Sequence, residues 1–248
     1  MFNWVIAIGD GTGFALRTAL QFPATLVRPS ALCVQLVRII KGMLPIVLLV
    51  GFALGIVTWM HVGKVLMRFE SQTLLPSILM LTVVLEFGPL SIGMIAAGRL
   101  GSGIGAELAA LEVTEQLDAL DVMGVSPIRR LAAPRVLACI LTLPALTVVV
   151  DYTALLGSFL AEAIAGDLSW RLYSEKALER LSAREAGLST LKPMVFGFLV
   201  GIISCWQGMQ AERSTEGVGR AATKSVVWST VSVLIANVLL VRIIQILS

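Results

Sequence analysis

The chain has 248 residues, 57% of them hydrophobic and 14% charged, with a formal net charge of +3. Soluble domains carry about 25% charged residues, so a single soluble core is excluded and several membrane spans are implied. The small, scattered positive charge argues against a nucleic-acid partner. The single histidine, His61, excludes a multi-histidine metal centre, and Cys33, Cys139 and Cys205 read as small buried residues, not as a disulfide framework or metal site.

Met1 is followed by Phe2, Asn3 and Trp4, without the basic start or the small-residue cleavage site of a signal peptide, so none is expected. Residues 1–41 form an N-terminal region broken by Pro23 and Pro29. From Ser30 to Lys41 the polar residues Gln35, Arg38 and Lys41 recur at every third position, with Leu32, Leu36 and Ile40 on another face. A basic amphipathic helix of this kind is expected in the membrane interface; the alternative is a short cytoplasmic helix packed on the rest of the protein.

Residues 42–248 read as one five-span domain, with spans at about 42–60, 73–97, 136–161, 193–208 and 225–241. A short polar link, His61 to Gln72, joins the first two. A polar segment, 162–192, follows the third, with ten charged residues and helical character around Leu172–Leu181. A loop with Glu212, Arg213, Glu216, Arg220 and Lys224 precedes the fifth. A cytoplasmic N-terminus places eleven Lys and Arg on the inner side against eight outside, the direction that membrane topology favours. Segment 162–192 then faces the far side. The expected fold is an all-α integral membrane protein.

The polar insert Gly98 to Arg135 would be cytoplasmic. Glu107, Glu112, Glu115, Asp118 and Asp121 fall within it, with no base between Gly105 and Val125. The last four acids are three residues apart, which draws a slowly winding acidic stripe on a helix of about 105–123. Val113, Leu117 and Leu120 form a separate apolar stripe. Pro127 is expected to stop this helix before Arg129, Arg130 and Arg135. One acidic and one apolar face, tethered at both ends to spans, suit a surface gripped by another protein.

Glu86 is the sharpest candidate for chemistry. A carboxylate inside a span is expensive and should face a cavity or a partner group. Gly88 and Pro89 follow it, and Pro89 removes a backbone donor and bends or breaks the helix. A charge beside such a break marks a pathway in many transporters; the alternatives are a position near an interface and a structural hydrogen bond to a neighbouring helix. Asp151 is a second intramembrane acid; the alternatives are a position near the end of its span and a cap for Tyr152 and Thr153.

Gly98, Gly101, Gly103 and Gly105 resemble a phosphate-cradling loop only weakly. No GxxxxGK[ST] run occurs, so ATP binding by a phosphate loop is not expected, and a sharp, closely packed turn out of the membrane accounts for them. The run Thr215–Arg220 reads as a tight polar turn that caps the last span or, through Glu216 and Arg220, contacts a cytoplasmic partner. Gly51 and Gly55, and Gly197 and Gly201, are GxxxG pairs suited to close helix packing or dimerisation. With one histidine and no HExxH, an intramembrane hydrolase lacks support.

The run LEFGPLSIGMIAAGRLGSGIGAELAALEVTEQLDALDVMGVSPIRRLAAPR resembles the MlaE permease family, also called YrbE, as does GFLVGIISCWQG followed by TEGVGRAATKSVV. The similar part covers about Leu74 to the C-terminus. One departure is that the family usually has a basic residue just before the glutamate of its GP motif, where this chain has Leu85.

The resemblance implies the permease subunit of an ABC-type transporter for phospholipid or a related hydrophobic substrate, in the bacterial inner membrane. It implies a second permease copy (a homodimer or paired paralogues), a cytoplasmic ATPase that binds ATP and Mg, an MCE-domain protein on the route toward the outer membrane, and in some systems a STAS-domain subunit. No cofactor and no metal would be bound by this chain, and it would not itself be an enzyme. Residues 105–123 would be the coupling helix seated in the ATPase, with Glu107, Glu112, Glu115, Gln116, Asp118, Leu120 and Asp121 as contacts. The substrate pathway would involve Glu86, Gly88 and Pro89, with Gly51 and Gly55 in the apolar first span. Two rival classes are an ion-coupled secondary carrier using Glu86 and Asp151, and a membrane scaffold without a pathway.

Overall fold

The computed structural model describes residues 2–26, 29–68, 74–165, 169–179 and 181–247. Arg28 of the basic N-terminal set, the end of the expected link at 69–72, the first residue of the expected second span, Thr73, and Asp167 and Arg180 of segment 162–192 lie outside them.

Every regular element among the described residues is helical. In chain order they are α1 Phe2–Leu20, α2 Phe22–Leu26, α3 Pro29–Arg68, α4 Leu75–Thr82, a π-turn Val83–Phe87, α5 Gly88–Val113, α6 Gln116–Val122, a π-turn Ile128–Ala132, α7 Ala133–Ala165, α8 Trp170–Glu179, α9 Ala183–Met209 and α10 Thr215–Leu247. Five helical stretches are long and apolar enough to cross a membrane: Pro29–Leu66, Leu75–Val113, Ile128–Ala165, Arg184–Met209 and Thr215–Ile246. The protein is an all-α integral membrane protein.

Several boundaries differ from the sequence reading. The basic amphipathic stretch 30–41, the first span and the link up to Arg68 form one helix of 40 residues. Pro29 opens it, at the position where a missing N–H costs nothing. Residues 2–20, which carry no clear period, form α1. The glycines 98–105 do not turn: α5 runs straight through them. Gly105 and Gly101 lie against Ser225 of α10, while Gly103 has open space around it. Gly103→Ala is therefore expected to raise stability by about 0.5–1 kcal/mol through helix propensity alone, measurable as a higher unfolding temperature in detergent.

Pro127 is not the stop that the sequence suggests. Gly124, at φ +72, ends α6. The Val125 N–H reaches back to the Leu120 carbonyl and the Gly124 N–H to that of Asp121, both at 2.9 Å, which satisfies the last carbonyls of the helix. Pro127 instead leads into the next helical segment. Nor is Thr215–Arg220 a turn. It is the start of α10, where the Ser214 hydroxyl accepts the Gly217 N–H at 3.0 Å as an N-cap.

The chain divides into two compact units. The first comprises Met1–Met43, Gly93–Leu143 and Met194–Leu239, the second Leu44–Ile92, Pro144–Pro193 and Leu240–Ser248. In the first, Gly197 and Gly201 of α9 pack on the backbone of α7 at Cys139 and Val136, and Gly208 packs on Leu108 and Gly105 of α5. In the second, Gly51 and Gly55 of α3 meet α7 at Val150, Thr153 and Ala154, and Gly157 of α7 meets Phe52 in return. Both GxxxG pairs are thus used for packing inside one chain. The second unit also holds an apolar cluster around Leu79, Val83, Leu155, Tyr173 and Ala177, which docks α8. The Ser77 hydroxyl donates to the Lys176 carbonyl of α8 at 2.6 Å.

Candidate functional site

Two polar constellations stand out, one in each unit. The first surrounds Glu86. Pro89 has no N–H, so the carbonyls four and five residues before it, Leu85 and Val84, lose their usual intrahelical donor. The chain widens into a π-turn at Val83–Phe87, and α5 resumes at Gly88. Helix α9 supplies the missing donors from two side chains one turn apart. The Ser189 hydroxyl bonds the Val84 carbonyl, and Lys192 Nζ bonds the Leu85 carbonyl at 2.7 Å. The same ammonium reaches Glu86 Oε1 at 2.8 Å.

The pair is asymmetric: the Lys192 side chain is 3% exposed and that of Glu86 37%. A fixed, buried cation therefore holds a carboxylate whose second face stays open, next to the exposed ring of Phe87. Gly88 lies directly against the Asp151 carboxyl, where a Cβ would collide, and Asp151 Oδ1 is buried without a hydrogen-bond partner among the described residues. Glu86, Gly88, Pro89 and Asp151 are thus gathered at one level of the second unit, with Ser189 and Lys192. Leu85 stands where the MlaE pattern has a base, and the structure supplies the base from Lys192 instead. Gly51 and Gly55 are buried in the contact with α7 and present no free surface there.

The second constellation is the acidic insert. The expected helix 105–123 is two pieces. Residues 105–113 belong to α5, Thr114 and Glu115 form a turn, and α6 is a separate short helix. Glu115 sits in the left-handed region at φ 58, which costs a residue with a Cβ roughly 1 kcal/mol or more. Arg213, from the segment before α10, spans the break. Its Nε meets Glu112 at 2.9 Å, its Nη1 Glu115 at 3.6 Å and its Nη2 Asp118 at 2.5 Å. The hydrogen bonds to Glu112 and Asp118 raise its guanidinium still further above its ordinary value, so it is a permanent cation.

Three acids of the stripe converge on this one guanidinium. Asp121 stays exposed, beside Val122 and Met123 at 89% and 67% exposure. Leu117 is buried, Leu120 half-buried and Gln116 exposed. Glu115→Gly should raise the unfolding temperature by relieving the left-handed backbone, whereas Arg213→Ala should leave that temperature nearly unchanged yet speed amide hydrogen exchange across Leu117–Val122. Equal exchange in Arg213→Ala and wild type would mean that the clamp does not order α6.

Glu107 belongs to neither the stripe nor its clamp. Its carboxylate takes Arg38 Nη1 at 3.0 Å and Arg135 Nη2 at 2.8 Å. The carboxylate is thus held between one buried guanidinium, Arg135, and one exposed one, Arg38. Glu216 and Arg220 are exposed in the first turns of α10, and Arg220 also pairs with Glu212.

Lys192, Ser189 and Arg213 are the partners of these candidate residues that sequence reasoning passed over. The signal for the first two was their i, i+3 spacing at the entry of a span, directly before Pro193. Arg213 carries no local signal.

The model of the family Permease MlaE matches residues 32–243. A chain of Rickettsia prowazekii named "Probable ABC transporter permease protein" is 34% identical over 200 residues, 81% of this chain and 77% of its own length. One of Synechocystis with the same kind of name is 30% identical over 187 residues, 75% and 71% of the two chains. Another, of Pyropia yezoensis, is 27% identical over 238 residues, 96% and 90%.

Proposed function

The chain belongs to the MlaE permease family and is a membrane permease subunit of an ABC transporter, and on that premise we propose that it moves phospholipid between the inner membrane and an MCE-protein pathway toward the outer membrane. A separate ATPase subunit supplies the energy. The observation that carries the lipid reading is the seat of Glu86. A carboxylate with one open face, fixed by a buried lysine and set among apolar helices, offers a polar anchor beside apolar walls, the pairing that a lipid headgroup and its tails require. Gly88 and Pro89 shape that seat. Gly51 and Gly55 draw α3 against α7 and so set the wall of the pathway.

On the proposed cytoplasmic side, α6 with Gln116, Asp118, Leu120 and Asp121, preceded by Glu112 and Glu115, docks the ATPase. Glu107 anchors the base of this region through Arg38 and Arg135, and Glu216 with Arg220 flanks it. The assembly is completed by a second permease copy, an MCE-domain protein and in some systems a STAS-domain subunit; the N-terminus is cytoplasmic. ATP and Mg are held by the ATPase, and this chain binds no cofactor.

Co-purification in detergent with its partner ATPase tests this reading. Glu115→Lys/Asp118→Lys should lose the ATPase from a folded protein. Because both acids also pair with Arg213, Arg213→Ala serves as the control and should retain it. Retention by the double reversal, with unchanged ATPase activity, would remove the coupling role. A second reading, an ion-coupled carrier, is favoured by one observation, the buried Asp151 Oδ1 that has no hydrogen-bond partner among the described residues. It requires uptake without the ATPase that depends on pH and vanishes in Asp151→Asn.

A further inference from the structure

The first unit contains a cavity of about 610 Å³ that neither constellation uses. It lies among α2, the start of α3 and the turn that leads into α7. Its polar lining is Gln21, Thr25, Ser30, Ser126, Arg129 and Arg130, and no acidic side chain lines it. The Thr25 hydroxyl is spent on the Gln21 carbonyl at 3.1 Å, which leaves the two arginines as the dominant groups. Both are exposed, and neither forms an ion pair among the described residues. This contrasts with Arg38, Arg135, Arg213 and Arg220 of the same unit, each of which holds a carboxylate.

Two adjacent guanidiniums without a counter-ion repel each other and call for an anion, and their planar forks match phosphate oxygens. The remaining lining is apolar, from Ala24, Ala31, Leu131 and Pro134 among others. The flanks are apolar and uncovered: Leu20, Leu26 and Val34 are 69%, 59% and 58% exposed. Leu26 and Val34 sit on either side of the cavity along the chain, on α2 and on the amphipathic stretch of α3. A ligand that fits must therefore be anionic at one end and apolar at the other. The volume lies in the range of small-ligand sites, about 300–1,000 Å³, and basic pockets beside membrane helices suit lipid headgroups.

We propose that this cavity binds the phosphate of an anionic phospholipid headgroup, clamped by Arg129 and Arg130, with the acyl chains lying along the exposed apolar faces of α2 and α3. The site is distinct from the Glu86 seat and does not depend on what the protein transports. A lipid held there would tie α2 and α3 to the entry of α7, the segment that follows α6 directly in the chain.

Native mass spectrometry of the full chain in detergent, with dioctanoyl phosphatidylglycerol as the probe, tests it. One saturable lipid adduct is expected. Arg129→Gln/Arg130→Gln should weaken it at least about tenfold, from roughly fivefold per charge, while Arg129→Lys/Arg130→Lys keeps part of it. Ala31→Phe, which fills the cavity and leaves both arginines in place, should abolish the adduct even if the double Gln variant proves unstable. Dioctanoyl phosphatidylcholine should bind more weakly, and inorganic phosphate should not displace the lipid. Equal binding by wild type and Ala31→Phe overturns the site. Displacement by inorganic phosphate makes it a free-anion site, and equal binding of phosphatidylcholine removes the charge requirement. Loss of the partner ATPase from the double Gln variant, with lipid binding intact, assigns the arginines to protein docking instead.

Discussion

Lys192→Met is expected to lower stability and abolish transport together. Methionine keeps most of the volume, so the loss is electrostatic. Lys192 is 3% exposed and serves two acceptors, the Leu85 carbonyl at 2.7 Å and Glu86 Oε1 at 2.8 Å. Breaking a fully buried pair costs about 3–5 kcal/mol; with Glu86 37% exposed, solvent screening reduces this to about 2 kcal/mol. The orphaned Leu85 carbonyl adds about 1 kcal/mol, because Pro89 has no N–H to offer it. Glu86→Gln/Lys192→Met should recover the electrostatic part of the stability but not transport.

Exchanging the charges, Glu86→Lys/Lys192→Glu, should rescue neither. A carboxylate at 192 would face the Leu85 carbonyl, acceptor against acceptor. That failure separates the site from a simple ion pair, which tolerates reversal. The measurements are thermal unfolding in detergent and ATP-driven lipid transfer in the reconstituted complex. A Lys192→Met protein with wild-type melting and transfer would defeat the argument, and Glu86→Ala and Glu86→Lys that both transport normally would remove Glu86 from the pathway.

What could be read in the sequence was what depends on local composition and length. Apolar runs without charge announce spans because water is absent from the membrane: the stretches expected at 42–60, 136–161, 193–208 and 225–241 lie within long apolar helices, and the one expected at 73–97 overlaps Leu75–Val113, which begins two residues later. Gly51, Gly55, Gly197 and Gly201 announce close helix contact because only hydrogen fits there. Boundaries were less legible. Amphipathic and apolar stretches both favour helix, so nothing local separates residues 30–41 from the first span, and α3 runs through. Pro127 and Gly124 are both plausible stops. The choice fell to Gly124 because a left-handed residue satisfies the terminal carbonyls, while a proline suits the entry of the next helix.

The partners of the charged groups could not be read at all. Lys192 stands 106 residues from Glu86, and Arg213 stands 101 and 95 residues from Glu112 and Asp118. The residue before Glu86 is the apolar Leu85, and the need arising from Pro89 is met from another helix by Lys192. The break at Glu115 is similar. Nothing in EVTEQLDAL forbids one continuous helix, and an acid is a poor choice for a left-handed position. The turn is a tertiary product, held where Arg213 draws Glu112, Glu115 and Asp118 to one point.

Gly55→Val is expected to disrupt the second unit about as strongly as Lys192→Met, by a steric route. A Cβ at Gly55 would overlap the Ala154 carbonyl and lie 2.9 Å from the Ala154 Cα. Both are backbone atoms of α7, so no side chain can swing away. Gly51 meets the Val150 backbone at 2.9 Å in the same way, and Gly157 returns the contact from α7. The two helices can only part, and parting them opens the packing along the whole stripe. Overpacking of a well-filled contact costs about 1–3 kcal/mol and occasionally more; a backbone clash places this case at the upper end, about 3 kcal/mol.

Gly63 provides the contrast. A Cβ there meets only the end of the Leu75 side chain at 3.2 Å, so Gly63→Ala should be mild. The same pair of variants decides what Gly51 and Gly55 do. If they serve packing, Gly55→Val lowers the unfolding temperature in detergent before any transport is assayed, and Gly55→Ala lowers it less. If the glycines instead leave room for a passing lipid, both variants melt like the wild type while transfer falls in proportion to side-chain size. The overlap with α7 backbone predicts the first result.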